Sequence, residues 1–128
     1  MKREIKFRAW DNKNKVIVAA SYGDWVSFDG ILYTEASRVY NTPNIEIERT
    51  NDYILMQFTG LLDKQGREIY EGDIVKYGND EPSTVIFDNQ MFCVPISGSN
   101  HKTHLHIMGG INKWEVIGNI YENSELIK

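Results

Sequence analysis

The sequence predicts a mainly β protein, a small barrel or sandwich with at most one or two short helical turns. Three observations carry this. Apolar residues recur with a period of two, turn-forming residues break the strands at intervals of about 8 to 12 residues, and no stretch of about 10 residues carries a helical apolar stripe.

Ile5, Phe7 and Ala9 alternate with Glu4, Lys6 and Arg8, the pattern of a half-buried strand. Asp11-Asn12-Lys13-Asn14-Lys15 then leads to Val16-Ile17-Val18, a hairpin in which Asp opens the turn and Asn accepts positive φ near its end. Asp29-Gly30 between Trp25–Phe28 and Ile31–Tyr33 signals a second hairpin. Residues 34–44 read as a loop with one helical turn near Ala36. Ile45 and Ile47 alternate with Glu46 and Glu48, and Thr50-Asn51-Asp52 turns the chain into a strand over Tyr53–Thr59. Asp63-Lys64-Gln65-Gly66 offers Gly in the left-handed position of a bulged turn before Glu68-Ile69-Tyr70, and Glu71-Gly72-Asp73 turns again into Ile74–Tyr77. Further strands fall at Thr84–Phe87, Met91–Val94 and Trp114–Tyr121. Gly118 marks a bulge or a close backbone approach in the last, and Asn123 is placed to cap a short helical turn. The turn at Asp11 and the turn at Asp63 echo each other, as two hairpins built on similar turn chemistry do.

A chain of 128 residues supports one domain, residues 1–128, or two lobes with a junction near residue 60, and buries enough surface to need no metal or disulfide staple. Its single cysteine, Cys93, excludes an internal disulfide framework and fits a reducing cytoplasm. No apolar run reaches the roughly 20 residues of a membrane-spanning helix, and the charged N-terminus is not that of a signal peptide, so no membrane partner is expected.

Candidate chemistry is sparse. His101, His104 and His106 lie close together, and on a strand His104 and His106 share one face, a spacing that presents two imidazoles to one metal. The alternative is a polar loop tip. Glu46 and Glu48 also share a face, more simply as the solvated side of a strand than as an acid–base pair. Cys93 sits among Met91, Phe92 and Val94, an apolar setting in which a thiol is inert core. No phosphate-binding glycine loop or serine-nucleophile elbow occurs. Residues 1–15 hold six basic and two acidic residues, a net charge of +4, against −8 for the remainder. Lys2, Lys6 and Arg8 share a strand face with Trp10, a basic row beside an aromatic that is a candidate nucleic-acid contact, although Glu4 falls on the same face. The plainer reading is a strand edge guarded by charge. Seven tyrosines and three tryptophans suit an interface, because each ring buries a large area while keeping a polar handle.

Three segments resemble the YopX family, small proteins carried by phages and prophages. They are Lys6-Phe7-Arg8-Ala9-Trp10-Asp11, the stretch from Met56 to Leu61 with Asp63 to Val75, and Glu115-Val116-Ile117-Gly118-Asn119-Ile120-Tyr121-Glu122-Asn123. Ser124 stands where the family pattern often has Pro, and Phe58 where it often has Tyr. The resemblance implies a mostly β fold with an SH3-like barrel part, a phage or prophage origin and oligomer formation. It implies no reaction, cofactor or catalytic residue. Most of its residues read as folding information, while Glu68, Tyr70 and Asp73 are candidates for a binding surface. The expectation is therefore a cytoplasmic, non-enzymatic protein that binds a second copy of itself and a host or phage protein. Nucleic-acid association through the basic N-terminal strand, and a metal-binding module or enzyme at His104 and His106, are the alternatives.

Overall fold

The structure is a computed structural model that describes residues 4–19, 25–26, 32–34, 48–49, 53–88, 90–95, 102–104 and 113–127. It is mainly β, with a curled half-barrel sheet and, among the described residues, a single helical turn. The chain divides into two compact units, one of residues 7–56 and the other of residues 57–128 together with the first six.

The unit of residues 7–56 holds β1 (Phe7–Asp11), β2 (Val16–Ala19), β3 (Trp25–Val26), β4 (Leu32–Thr34), β5 (Glu48–Arg49) and the first residues of β6 (Tyr53–Leu62). β1 and β2 form the expected hairpin, with Asp11 opposite Val16 and Trp10 opposite Ile17. The Asp11 carboxylate accepts the backbone N–H of Lys13 and Asn14 at 2.9 and 3.0 Å and the Asn14 side chain at 2.7 Å. Those bonds, the Asn14 contributions first, hold its pKa below the ordinary aspartate value. Positive φ falls on Lys15, at 58°, rather than on Asn14, because the four-residue connection places the left-handed residue last, next to the returning strand. β1 lies between β2 and β6, so it is not an edge, and Ala9, Trp10 and Asp11 are all buried. β3 and β4 pair across the Asp29-Gly30 segment, and β5 adds to β4. The helical turn expected near Ala36 and the strand at Ile45–Ile47 lie outside the described residues.

The second unit continues with the rest of β6, then β7 (Glu68–Tyr70), β8 (Asp73–Tyr77), β9 (Ser83–Thr84), β10 (Ile86–Asp88), β11 (Met91–Pro95), β12 (Lys102–His104), β13 (Trp114–Asn119) and a 3-10 turn at Ser124–Leu126. Two three-stranded sheets, β13-β8-β9 and β10-β11-β12, come together where β9 approaches β11. Ser83 Oγ donates to the Pro95 carbonyl at 3.2 Å there. Ile69, Val75, Val85, Phe92, Val94 and Trp114 pack as the buried core, with Leu61, Tyr77 and Val116 against it. Ile69, Tyr70, Ile74 and Val75, expected as strand core, are all buried. The bulge expected at Gly118 is present, since Val116 faces Val75 and Gly118 faces Ile74, leaving Ile117 as the extra residue.

Candidate functional site

The Asp63 turn is the most connected polar feature. Its carboxylate is fully buried, yet it accepts four hydrogen bonds. The backbone N–H groups of Gln65, Arg67 and Val116 donate at 2.9, 2.8 and 3.1 Å, and Arg67 Nε donates at 3.0 Å. Burial pushes the Asp63 pKa up, but the bonds from Arg67, Val116 and Gln65 outweigh it and hold the carboxyl below its ordinary value. Gly66 takes φ 81°, as the bulged turn requires. Lys64 N also donates to the Trp114 carbonyl at 2.8 Å. The turn thus lies along β13, an outer strand of its sheet, and satisfies groups a free edge would leave to water or to another chain.

Glu68 and Tyr70, expected on a binding surface, meet Lys6 from the basic N-terminal row. Tyr70 donates its hydroxyl to Glu68 Oε2 at 2.7 Å, and the Lys6 ammonium bonds Glu68 Oε1. Lys6 also lies 3.4 Å from Glu4 and 5.6 Å from the centre of the Phe58 ring, which is 5.5 Å from Tyr70. The Glu68 hydrogen bond outweighs partial desolvation, and Glu4 adds to it, so the Lys6 pKa is raised. Phe58 N donates to the Lys6 carbonyl at 2.8 Å, fixing the segment before β1 against β6. Asp73 has a different task. Buried in the tight turn at Glu71-Gly72, it accepts the Tyr70 backbone N–H at 2.8 Å, while its own carbonyl accepts Val85 N at 2.8 Å.

The remaining row residues differ from one another. Arg8 is half-buried and its guanidinium lies 3.8 Å from the Met56 sulfur, and Trp10 is buried. Lys2, His101 and His106 lie outside the described residues. His104 ends β12 and stands opposite Cys93 of β11 in the ladder. Cys93 is buried, as its apolar setting implied.

The Gly118–Asn123 segment is a folding device as well. Asn119 Oδ1 accepts Tyr121 N and Glu122 N at 3.0 and 2.9 Å, and Asn123 Oδ1 accepts Asn119 N at 3.2 Å. A Cβ at position 118 would sit 2.5–2.8 Å from the Asn123 side chain, so glycine is required there. The expected helical turn exists, but the Asn123 side chain does not cap it, being already committed to Asn119.

Sequence reasoning missed Phe87. It lies in β10, an outer strand, is 53% exposed, and stacks edge-on against buried Phe92 at 5.0 Å. Period-two reading groups Phe87 with buried Val85, but the strand is interrupted at Val85 between β9 and β10, which breaks the alternation. No signal in the sequence marks that interruption.

The family model described as YopX protein matches residues 6–128. The chain belongs to the YopX family. Among solved structures it is similar to protein EF1440 from Enterococcus faecalis, with 28% identity, a TM-score of 0.64, and coverage of 99% of this chain and 100% of that one. It is also similar to protein yopX from Bacillus subtilis, with 23% identity, a TM-score of 0.61, and coverage of 95% and 97%, a likeness of fold. No curated protein matches the chain. The Asp63, Asp73 and Gly118–Asn123 elements all fall within the matched residues.

Proposed function

We propose that this YopX-family protein acts by binding rather than by catalysis, as a cytoplasmic homo-oligomer in the service of a phage or prophage. The most prominent polar side chains of its family segments support this reading, because Asp63, Asp73 and Asn119 are spent on the protein's own backbone. The observation that carries it is Phe87, a large apolar side chain left half exposed on an outer strand. Outer strands offer unpaired backbone groups to a further strand, and an outward aromatic adds side-chain affinity to that pairing.

A second copy is the partner that fits. Two β10 strands pairing antiparallel about a two-fold axis through Phe87 place the two phenylalanines opposite each other. Each Ile86 then faces an Asp88, so the acidic residues never meet head-on. Such an aromatic pair contributes about 0.5–1.5 kcal/mol beyond its buried area. Ile5 and Leu62, 69% and 52% exposed, provide further apolar surface in the same unit. The curled sheet of that unit is the SH3-like part in this reading. Lys6 held by Glu68, and Trp10 buried, favour self-association over a basic nucleic-acid stripe.

Sedimentation velocity tests the reading. The wild type sediments as an oligomer and Phe87→Glu as a folded monomer. A wild type that stays monomeric at high concentration removes self-association, and an oligomeric Phe87→Glu removes β10 as its interface.

A further inference from the structure

We propose that the outer edge of β2 receives, as an added strand, an extended segment of another protein that is apolar along its length and acidic at its C-terminal end. This surface is separate from self-association at β10 and stands without it. β2 is an outer strand, and among the described residues its one ladder partner is β1. Two bonds show which of its backbone groups stay open. The Lys6 carbonyl accepts Phe58 N from the β6 side, and the Asp11 carbonyl accepts Lys15 N from the hairpin side. Successive residues of a strand aim their backbone groups at opposite neighbours, so Arg8 and Trp10 face β6 while Ala9 and Asp11 face β2. Val18 and Val16, opposite Ala9 and Asp11, therefore bond β1. Ile17 and Ala19, opposite Trp10 and Arg8, turn their N–H and C=O groups outward.

Two other outer strands are closed by the protein's own side chains. On β7, the Asp73 carboxylate takes the Tyr70 N–H at 2.8 Å. On β13, Lys64 N bonds the Trp114 carbonyl at 2.8 Å and the Asp63 carboxylate takes the Val116 N–H at 3.1 Å. β2 carries no such guard. Its run Val16-Ile17-Val18-Ala19 holds no charge, proline or glycine to blunt an edge. A run apolar at every position is the composition of an interior strand rather than of a sheet margin. Val16 is nevertheless 44% exposed, and Ile17 and Val18 are half-buried.

The hairpin tip sets the charge of the partner. Asn12-Lys13-Asn14-Lys15 is exposed and carries two lysines and no acid. Asp11 beside it is buried, with its carboxylate committed to the turn. The Lys15 ammonium donates to the neutral Asn12 side chain at 2.9 Å, which leaves its charge uncancelled. Antiparallel pairs are the commoner kind, and a strand antiparallel to β2 ends beside this tip. An acidic C-terminal end there meets both lysines, whereas the β2 strand of a second copy brings no acidic residue to the tip. Main-chain bonds supply the affinity of such strand addition, and the side chains supply its selectivity.

The test uses the full chain and a fluorescent peptide of alternating valine and threonine that ends in a run of aspartates. Anisotropy reads binding, and amide exchange of Ile17 and Ala19, followed by NMR, reads its place. Both amides should exchange fast in the free protein and slow when the peptide saturates. The same peptide N-methylated throughout should not bind, because its backbone can no longer donate. Lys13→Gln with Lys15→Asn, the second chosen because asparagine accepts the positive φ of position 15, should bind about 5-fold more weakly, the loss of two exposed ion pairs. Phe87→Glu should bind as wild type does. The proposal is overturned by absence of saturable binding, or by binding that leaves exchange at Ile17 and Ala19 unchanged. Slow exchange of these amides in the free protein also overturns it: independent of concentration, it means that the chain covers its own edge, and rising with concentration, that a second copy does. Wild-type affinity in the double lysine variant overturns the acidic end.

Discussion

Replacing Asp63 with alanine removes one buried carboxylate and, with it, the acceptor for three backbone N–H groups and one guanidinium. A hydrogen bond to a charged group contributes about 1.5–3 kcal/mol, and a donor left buried without an acceptor costs about 1–3 kcal/mol. Gln65 and Arg67 are exposed, so water recovers most of what their N–H groups lose. Val116, whose N–H reaches Asp63 from 53 positions along the chain, is only half exposed and recovers less. The net loss comes to about 3 kcal/mol, and for a domain of this size it lowers Tm by about 10 °C. Asp63→Asn separates charge from shape. One amide oxygen can still serve the turn, but the amide NH2 then confronts Val116 N–H or Arg67 Nε as donor against donor, so about half the loss remains. Thermal unfolding followed by far-ultraviolet circular dichroism reads both variants. A Tm for Asp63→Ala within about 2 °C of wild type would refute the claim that this carboxylate holds the turn to β13.

Three further outcomes follow from the same geometry. Gly118→Ala should lose about 1–3 kcal/mol in urea unfolding through collision with Asn123, and adding Asn123→Ala should restore part of it; a double variant no better than the single one contradicts the steric account. Tyr70→Phe deletes the 2.7 Å bond to Glu68 and should cost about 1 kcal/mol in the same assay, whereas an unchanged midpoint means that bond contributes nothing. Asp63 and Asp11 have folded pKa values below their unfolded value of about 3.9, so their contribution is complete above that pH and fades as pH falls through the folded values. Urea midpoints should therefore drop below about pH 4, and drop less in Asp63→Asn; equal slopes in the two proteins would show that Asp63 does not titrate differently on folding.

Local turn chemistry was legible from the sequence because it acts within a few residues. Asp11 with Lys13 and Asn14, Asp63 with Gln65 and Gly66, and the tight turn at Glu71-Gly72 all follow from side-chain reach and permitted φ. What acts at a distance was not legible. Nothing near Asp63 signals Val116, and nothing near Lys6 signals Glu68, since both contacts depend on how strands are ordered in the sheets. Gly118 is recognisable as a bulge or close approach, but Asn123, which touches it, fits a helix cap equally well by sequence, because local rules cannot tell which of two backbone N–H groups a side chain will serve. Phe87 was hidden by a break in alternation, and the placement of Cys93 opposite His104 by a register that spans the 95–102 connection.

Native mass spectrometry of gently purified, chelator-free protein tests the central claim, that this chain works by binding a second copy of itself. An oligomer of whole chains is the predicted result. A monomer across the accessible concentration range would contradict it.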